Sequence, residues 1–380
     1  MNFHPMYKLL DWIPRDKLNW EKCVIIHGIL PANIKEFQIW KQNNESRYWQ
    51  ILCEHPTSFT EIENNIDKLD EECWWRLCEN PNALSIIEKH IDKLDVYCWC
   101  RLCENPNAIP LVIQNMDKIL ATDNSFWGCW GALSINSNAI SILKQNSDKI
   151  NWQCLCANTN PEAIELIRDN IDKLDIHCWW NLSENPNAIP ILEKHLNKVD
   201  WRDVSRNPNA IPILEKHLEK ADWSCLSQNP NAIPLLEKHM DKIDWNLLAA
   251  NTNGVHILEA NIDRFYDSEI DFDSRVWIRL AKNPCAIPVI EKFVHKINWR
   301  YLCKNPNALS LIEKHLYKMN DDCWNEISQN PSIFVLDTKA MKEKCMHFAE
   351  DLAAYVFHPE RVERIAGFHH MDFDEYMELI

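Results

Sequence analysis

Three kinds of side chain recur in this chain at spacings that chemistry can use. Five histidines, His90, His195, His217, His239 and His315, each fall ten residues after an Asn that precedes Pro. Stacked, they would form a ladder of imidazoles, and imidazole is the commonest metal ligand. The 16 cysteines include two sets. Cys53, Cys78, Cys103 and Cys303 lie two residues before a His-Pro or Asn-Pro step, whereas Cys73, Cys98, Cys129, Cys178 and Cys323 each sit beside a Trp. Cys100 and Cys103 are spaced as Cys-x-x-Cys. The third kind is a lysine thirteen residues after nearly every such step, as at Lys93, Lys198, Lys220 and Lys318.

What replaces these residues argues for structure over chemistry. The His slot holds Asn at Asn65, Asn115, Asn146, Asn170 and Asn261, and Phe at Phe293. His and Asn can both satisfy a free carbonyl near a helix end, whereas Asn and Phe do not hold a transition metal. The first Cys slot holds Ser134, Ser183, Ser205, Ser227, Ala249 or Ala281 elsewhere, which reads as a small packed residue. Zinc needs four converging ligands, and the lone Cys-x-x-Cys has no second pair. Acidic neighbours flank the lysines, so that stripe reads as largely neutralised. The chain has no Gly-rich phosphate loop, no Gly-x-Ser-x-Gly elbow and no His-Glu-x-x-His, and its 5 glycines leave little material for a phosphate cradle. We therefore expect no enzyme, no cofactor and no metal.

These residues recur because a phrase recurs: Asn-Pro-Asn-Ala-Ile-Pro-Ile-Leu-Glu-Lys-His-Leu-Asp-Lys-Ile-Asp-Trp in consensus, cleanest from Asn185, Asn207, Asn229 and Asn305. Its anchor falls at His55, Asn80, Asn105, Asn136, Asn160, Asn185, Asn207, Asn229, Asn251, Asn283, Asn305 and Asn330. Most spacings are 22 to 25 residues, with two longer ones that place insertions at 119–128 and 265–275. Asn-Pro-Asn-Ala suits a type I turn, and its second Asn is placed to cap a helix. The stripe Ile189, Ile191, Leu192, Leu196 and Val199 predicts a helix of about ten to twelve residues. A shorter α or 3-10 helix begins at the Asp-Trp pair, with Asp200, Asp222 and Asp244 as caps. Neither helix can bury its stripe alone, so neighbours must stack. The expected fold is all-α: a right-handed α-solenoid of about twelve units over residues 45–337. Residues 1–44 form a degenerate unit or cap, in which Asp16-Lys17-Leu18-Asn19-Trp20 is a worn copy of the phrase.

The alternation of two helices with Asn-Pro at their junction resembles the leucine-rich variant repeat. The phrase and its Asp-Lys-Ile-Asp-Trp partner resemble repeat proteins encoded in multiple copies by giant DNA viruses. That resemblance covers roughly residues 45–335 and implies a viral origin and a repeat scaffold rather than an activity. Residues 338–380 read as a helical cap or a docking box. The run from Phe348 through Phe357, His358 and Arg361 resembles a short C-terminal box shared by giant-virus proteins of different architectures, which implies a portable tag.

Composition narrows the partners. A net charge of −16 disfavours nucleic acid, whose binding rests on neutralising phosphates. No run approaches the length of a membrane span, and no signal peptide is evident, so the expected setting is the host cytoplasm or the virion with thiols reduced. The 18 tryptophans are mostly phrase positions and hence core. The expected function is a protein–protein scaffold or adaptor, with a structural component of the virion as the alternative. Candidate partner-binding residues are those the phrase does not dictate: Phe126, Trp127, Phe265, Tyr266 and Phe272 at the insertions, and Phe357, His358 and Arg361 in the C-terminal box.

Overall fold

The computed structural model describes residues 7–28, 30, 34–55, 58–120, 128–262 and 275–343. Packing divides the chain into two units, Met1–Ile13 with Pro31–Asn33 and Ile333–Ile380, and Pro14–Leu30 with Ile34–Ser332. In the first unit β1 (Tyr7–Leu9) pairs antiparallel with β2 (Phe334–Leu336), Lys8 opposite Val335. The Leu10 N–H extends the ladder to the Ile333 carbonyl at 3.0 Å, and Leu9, Ile333 and Phe334 are buried. The sequence pattern gave no sign of this pairing, because each strand is only three residues long. Apart from this sheet the described residues are all-α, as expected.

The second unit carries the repeated phrase, and Asn207–Asn229 shows its logic. The Ala210 N–H closes the expected turn on the Asn207 carbonyl at 3.2 Å. The Asn207 side chain is buried and fully employed. Its Oδ1 accepts from the Asn209 N–H at 3.0 Å, and its Nδ2 donates to the Ser183 and Asn185 carbonyls of the preceding unit at 3.0 and 2.9 Å. Asp would lack the donors and an aliphatic residue would lack both, which is why Asn recurs here. The helix Ile211–Lys216 follows with Pro212 in its first turn and Ile213 and Leu214 buried. A 3-10 turn Leu218–Lys220 comes next, then Asp222 caps the helix Trp223–Gln228 by accepting from the Cys225 N–H at 2.9 Å.

Three expectations are corrected. The first helix is six residues, not ten to twelve, because His217 leaves the helical region at φ −135°, ψ 45° and the stripe continues on the 3-10 turn. The second helix is shorter than the first only in some units, as at Trp245–Leu248 and Trp299–Leu302 with four residues; it has six at Trp201–Arg206 and nine at Glu71–Glu79, Val96–Glu104 and Ile176–Glu184. The second Asn of the turn does not cap the helix. Asn209 Nδ2 instead donates back to the Pro186 carbonyl at 2.9 Å, tying unit to unit. The anchor of one unit also shifts. Asn158, not Asn160, donates to the Ser134 and Asn136 carbonyls, so the spacings there are 22 and 27 residues and Trp152 falls into line with the other tryptophans. Asn160 takes the second Asn position, and here alone it also caps, accepting from the Glu162 N–H at 2.8 Å.

The Trp-bearing helices pack in chain order. Trp20–His27 lies on Glu45–Glu54, that on Glu71–Glu79, and so on through Trp201–Arg206 and Trp223–Gln228 to Trp299–Leu302 and Asp321–Ile327. The order then returns on itself within this unit. The Arg15–Lys17 turn packs against Asp321–Ile327, and the Asn19 N–H donates to Ser328 Oγ at 2.9 Å. The same bond joins consecutive units inside the array: Asp200 N–H to Ser183 Oγ, Asp222 to Ser205 and Asp244 to Ser227, at 2.9 to 3.0 Å. Asn19 also caps its own helix, its Oδ1 accepting from the Lys22 N–H at 3.1 Å, as the aspartates do in theirs. The worn copy of the phrase therefore occupies the place that a next unit after Ser328 would take.

Candidate functional site

The Trp-bearing helices present a Trp ring to the following unit, where phrase residues pack on it. The His slot stacks obliquely on it: Trp179–His195, Trp201–His217, Trp223–His239 and Trp299–His315 have centroids 5.2 to 5.4 Å apart. Phe293 makes the same contact with Trp277 at 5.9 Å, which explains why Phe can stand in the slot. The lysine covers the ring as well: Lys173, Lys198 and Lys220 hold their ammonium groups 4.8 to 5.2 Å from Trp152, Trp179 and Trp201. These are cation–π contacts. Charge pairing was the expected role of the lysines. Lys68, which bonds Glu45 at 2.8 Å while lying 5.7 Å from the Trp49 ring, does both.

His315 and the Asn substitutes perform the carbonyl role expected of this slot. His315 Nδ1 meets the Leu311 carbonyl at 2.9 Å, and Asn115, Asn146, Asn170 and Asn261 each bond the carbonyl four residues back at 2.9 Å. Among the described residues, no three His, Cys, Asp or Glu side chains gather as they would to hold a metal ion. No helix among them is long and apolar enough to cross a membrane.

The small slot does more than pack. Where it holds Ser, the hydroxyl donates to the Trp carbonyl four residues back and accepts the next cap's N–H, as at Ser183, Ser205 and Ser227. Where it holds Cys, a thiol of the next unit lies close by in four cases: Cys73 beside Cys53, Cys98 beside Cys78, Cys178 beside Cys156 and Cys323 beside Cys303. The Cys303 Sγ also meets Met319 Sδ at 3.7 Å. The neighbouring thiol, with burial, pushes these slot thiols far above the ordinary range. Cys323 moves the other way, to about 7, because the neighbouring Cys303 favours its charged form.

The nine-residue helices differ from the six-residue ones in what they show to solvent. Their extra first turn brings Val96 and Tyr97 in one unit and Ile176 and His177 in another. Val96, Tyr97 and Ile176 are 56, 64 and 63% exposed. Trp75 of the preceding unit tilts onto Tyr97 at 5.6 Å and anchors its Nε1–H on Asp95 at 2.9 Å. Trp180, largely exposed, meets His177 edge-on at 4.7 Å. The longer helices also cover their own tryptophans. Trp74, Trp99 and Trp179 are buried, whereas Trp201, Trp223, Trp245 and Trp299 of shorter helices are half-buried.

Phe126, Trp127, Phe265, Tyr266, Phe272, Phe357, His358 and Arg361, the residues singled out from the sequence, all lie outside the described residues. The exposed Val96 and Tyr97, with half-buried Trp75 against Tyr97, were overlooked because Trp75 and Tyr97 sit beside phrase positions and pass for core. The signal was there in the three residues by which their units exceed 22. No known protein family, curated protein or solved structure matches this chain.

Proposed function

We propose that the repeats form a right-handed α-solenoid, closed by its own first unit, that serves as a non-enzymatic protein-interaction scaffold. The observation that carries this reading is the pair Val96 and Tyr97, apolar side chains that a longer helix holds outward instead of burying, with the half-buried Trp75 tilted onto Tyr97. Interfaces concentrate their energy in such aromatic residues on a rigid support. The net charge of −16 favours a partner without an acidic surface. The likeness of the phrase to giant-virus repeat proteins makes the infected host cell the place to seek that partner. The C-terminal box and the two insertions are further proposed contact points.

The test is capture of the tagged full-length chain from infected cells, beside a Val96→Ser, Tyr97→Ser double variant. A protein captured by the parent should be lost from the variant while the thermal midpoint stays put. Undiminished capture would overturn this reading. So would a midpoint that drops as far as that of a Trp223→Ala control, since the exposed pair would then be structural.

A further inference from the structure

One thiol pair departs from the rule that the others follow. By that rule Cys129, the thiol beside Trp130, would meet the slot cysteine Cys103 of the preceding unit. It meets Cys100, with the two Sγ atoms 3.0 Å apart. Cys100 stands directly after Trp99, the position held by half-buried Trp75 and exposed Trp180 in the other long helices. The consequence is a difference in access. Both members of the Cys53–Cys73, Cys78–Cys98, Cys156–Cys178 and Cys303–Cys323 pairs are buried, whereas Cys100 is half-buried. Two sulfurs at 3.0 Å are about 1 Å short of a disulfide bond, and they sit on helices that pack directly against each other.

We propose that Cys100 and Cys129 are a modification site, a reversible disulfide that ties the helix Val96–Glu104 to Cys129–Ile135. The oxidant is a small-molecule disulfide reached by exchange. Cys100 Sγ attacks one sulfur of that disulfide, its S–S bond breaks, and one small thiol leaves. Cys129 Sγ then attacks Cys100 Sγ, the mixed disulfide breaks, and the second small thiol leaves. The two protein thiols are oxidised, the small disulfide is reduced, and the two protons end on the released thiols. The paired geometry makes the second step fast, because the resolving sulfur is already in contact. Cys285 provides the contrast: it is exposed, and among the described residues no second thiol is in hydrogen-bonding contact with it. It should stop at the mixed disulfide.

The test is equilibration of the purified full-length chain in glutathione buffers from fully reduced to fully oxidised. An acid quench, alkylation after denaturation and peptide mapping follow. The expected result is a Cys100–Cys129 cross-linked peptide that appears as the buffer is oxidised and disappears on re-reduction. Cys285 should carry glutathione, and the four buried pairs should remain alkylatable. Oxidation should also raise the denaturation midpoint of the parent chain, and this rise should be absent in Cys100→Ser. The proposal is overturned if Cys100 and Cys129 stay alkylatable at every ratio, if Cys100 stops at a mixed disulfide as Cys285 does, or if Cys129 links to Cys103. Because the mapping is done on the parent chain, it does not depend on a variant folding.

Discussion

The junction between Trp201–Arg206 and Trp223–Gln228 and the junction between Asp321–Ile327 and Trp20–His27 use the same bond, from a cap N–H to a serine hydroxyl in the preceding unit. In the first the partners are 17 residues apart along the chain; in the second they are 309 apart. The first would persist through local fluctuation, because the chain itself keeps the partners close. The second, the seam, must hold by contact alone, since ordering distant segments carries a larger entropy loss. The seam has something the interior lacks. Glu326 is the one buried charged side chain among the described residues, and Lys304, Arg300 and Lys22 reach it at 2.7, 3.3 and 3.5 Å. Lys17 adds a surface pair with Asp321, and Asn19 Nδ2 donates to Asn325 Oδ1 at 3.1 Å. A hydrogen bond repeated at several junctions cannot say which unit pairs with which. A buried carboxylate that accepts a lysine from the far end of the chain can, and registry is the best-attested use of buried charge.

Removing that charge should therefore separate the two junctions most. We expect Glu326→Ala to destabilise the seam by about 3 kcal/mol, the order seen when one partner of a buried ion pair is deleted. Hydrogen exchange should report it locally. The amides of Val24 and neighbouring residues in Trp20–His27 should lose protection while those of Leu214 and Leu236 keep theirs. Equal loss at both places would mean that the seam is no separate element, and the contrast between the junctions would fall.

Acid should open the seam next. Burial lowers the His27 pKa to about 4, opposed in part by a hydrogen bond to the Asn330 backbone and reinforced by His55 nearby. The folded imidazole thus binds its proton less readily than a solvated one, whose pKa is about 6.5. Its contribution is fully present above about pH 6.5 and is lost as pH falls through the window down to about 4, roughly 2 kcal/mol in all once partial exposure is allowed for. Burial alone would raise the Glu326 pKa, but Lys304, Lys22 and Arg300 outweigh it and the net shift is downward. Its stabilisation likewise disappears on acidification, starting as pH falls into the ordinary carboxylate range and ending below it. Protection of Trp20–His27 followed from pH 7 to 4 should fall first, and His27→Phe should flatten the upper part of that curve. A seam as protected at pH 5 as at pH 7 would remove His27 from the account.

How much of this was legible beforehand follows from where the information resides. The unit was readable because Asn, Pro, Ser and Trp each answer a local demand: a buried turn that needs both donor and acceptor, a first helical turn without an N–H, a small hydroxyl under a cap, a ring over a 3-10 turn. Asp16–Trp20 was readable as a worn unit for the same reason. Its place after Ser328 was not, because return of the array depends on the summed rotation of every unit and no single residue records it. The register at Asn158 was misread because Asn160 has the Pro and Asn158 has the burial. The lysines were misread because their acidic neighbours lie close in sequence, whereas the Trp ring that each covers lies about twenty residues back. The exposed Tyr97 and the Trp75 that leans on it were hidden by their resemblance to core.

The smallest effect is also the sharpest comparison. Ser205→Ala and Ser328→Ala delete the same hydroxyl, and each leaves a cap N–H without its acceptor, Asp222 in one case and Asn19 in the other. The lost bonds alone should lower global stability by about 1–2 kcal/mol in both. The difference should appear in how the loss is distributed. At the interior site the freed helix remains tethered on both sides, so the change should show in the global denaturation midpoint and little in local exchange. At the seam the first unit can leave without unfolding the rest. Ser328→Ala should therefore raise exchange through Trp20–His27 well beyond what its global midpoint accounts for. If the two variants instead prove indistinguishable in both measurements, closure is as cooperative as chain continuity, and the seam is one more junction of the array.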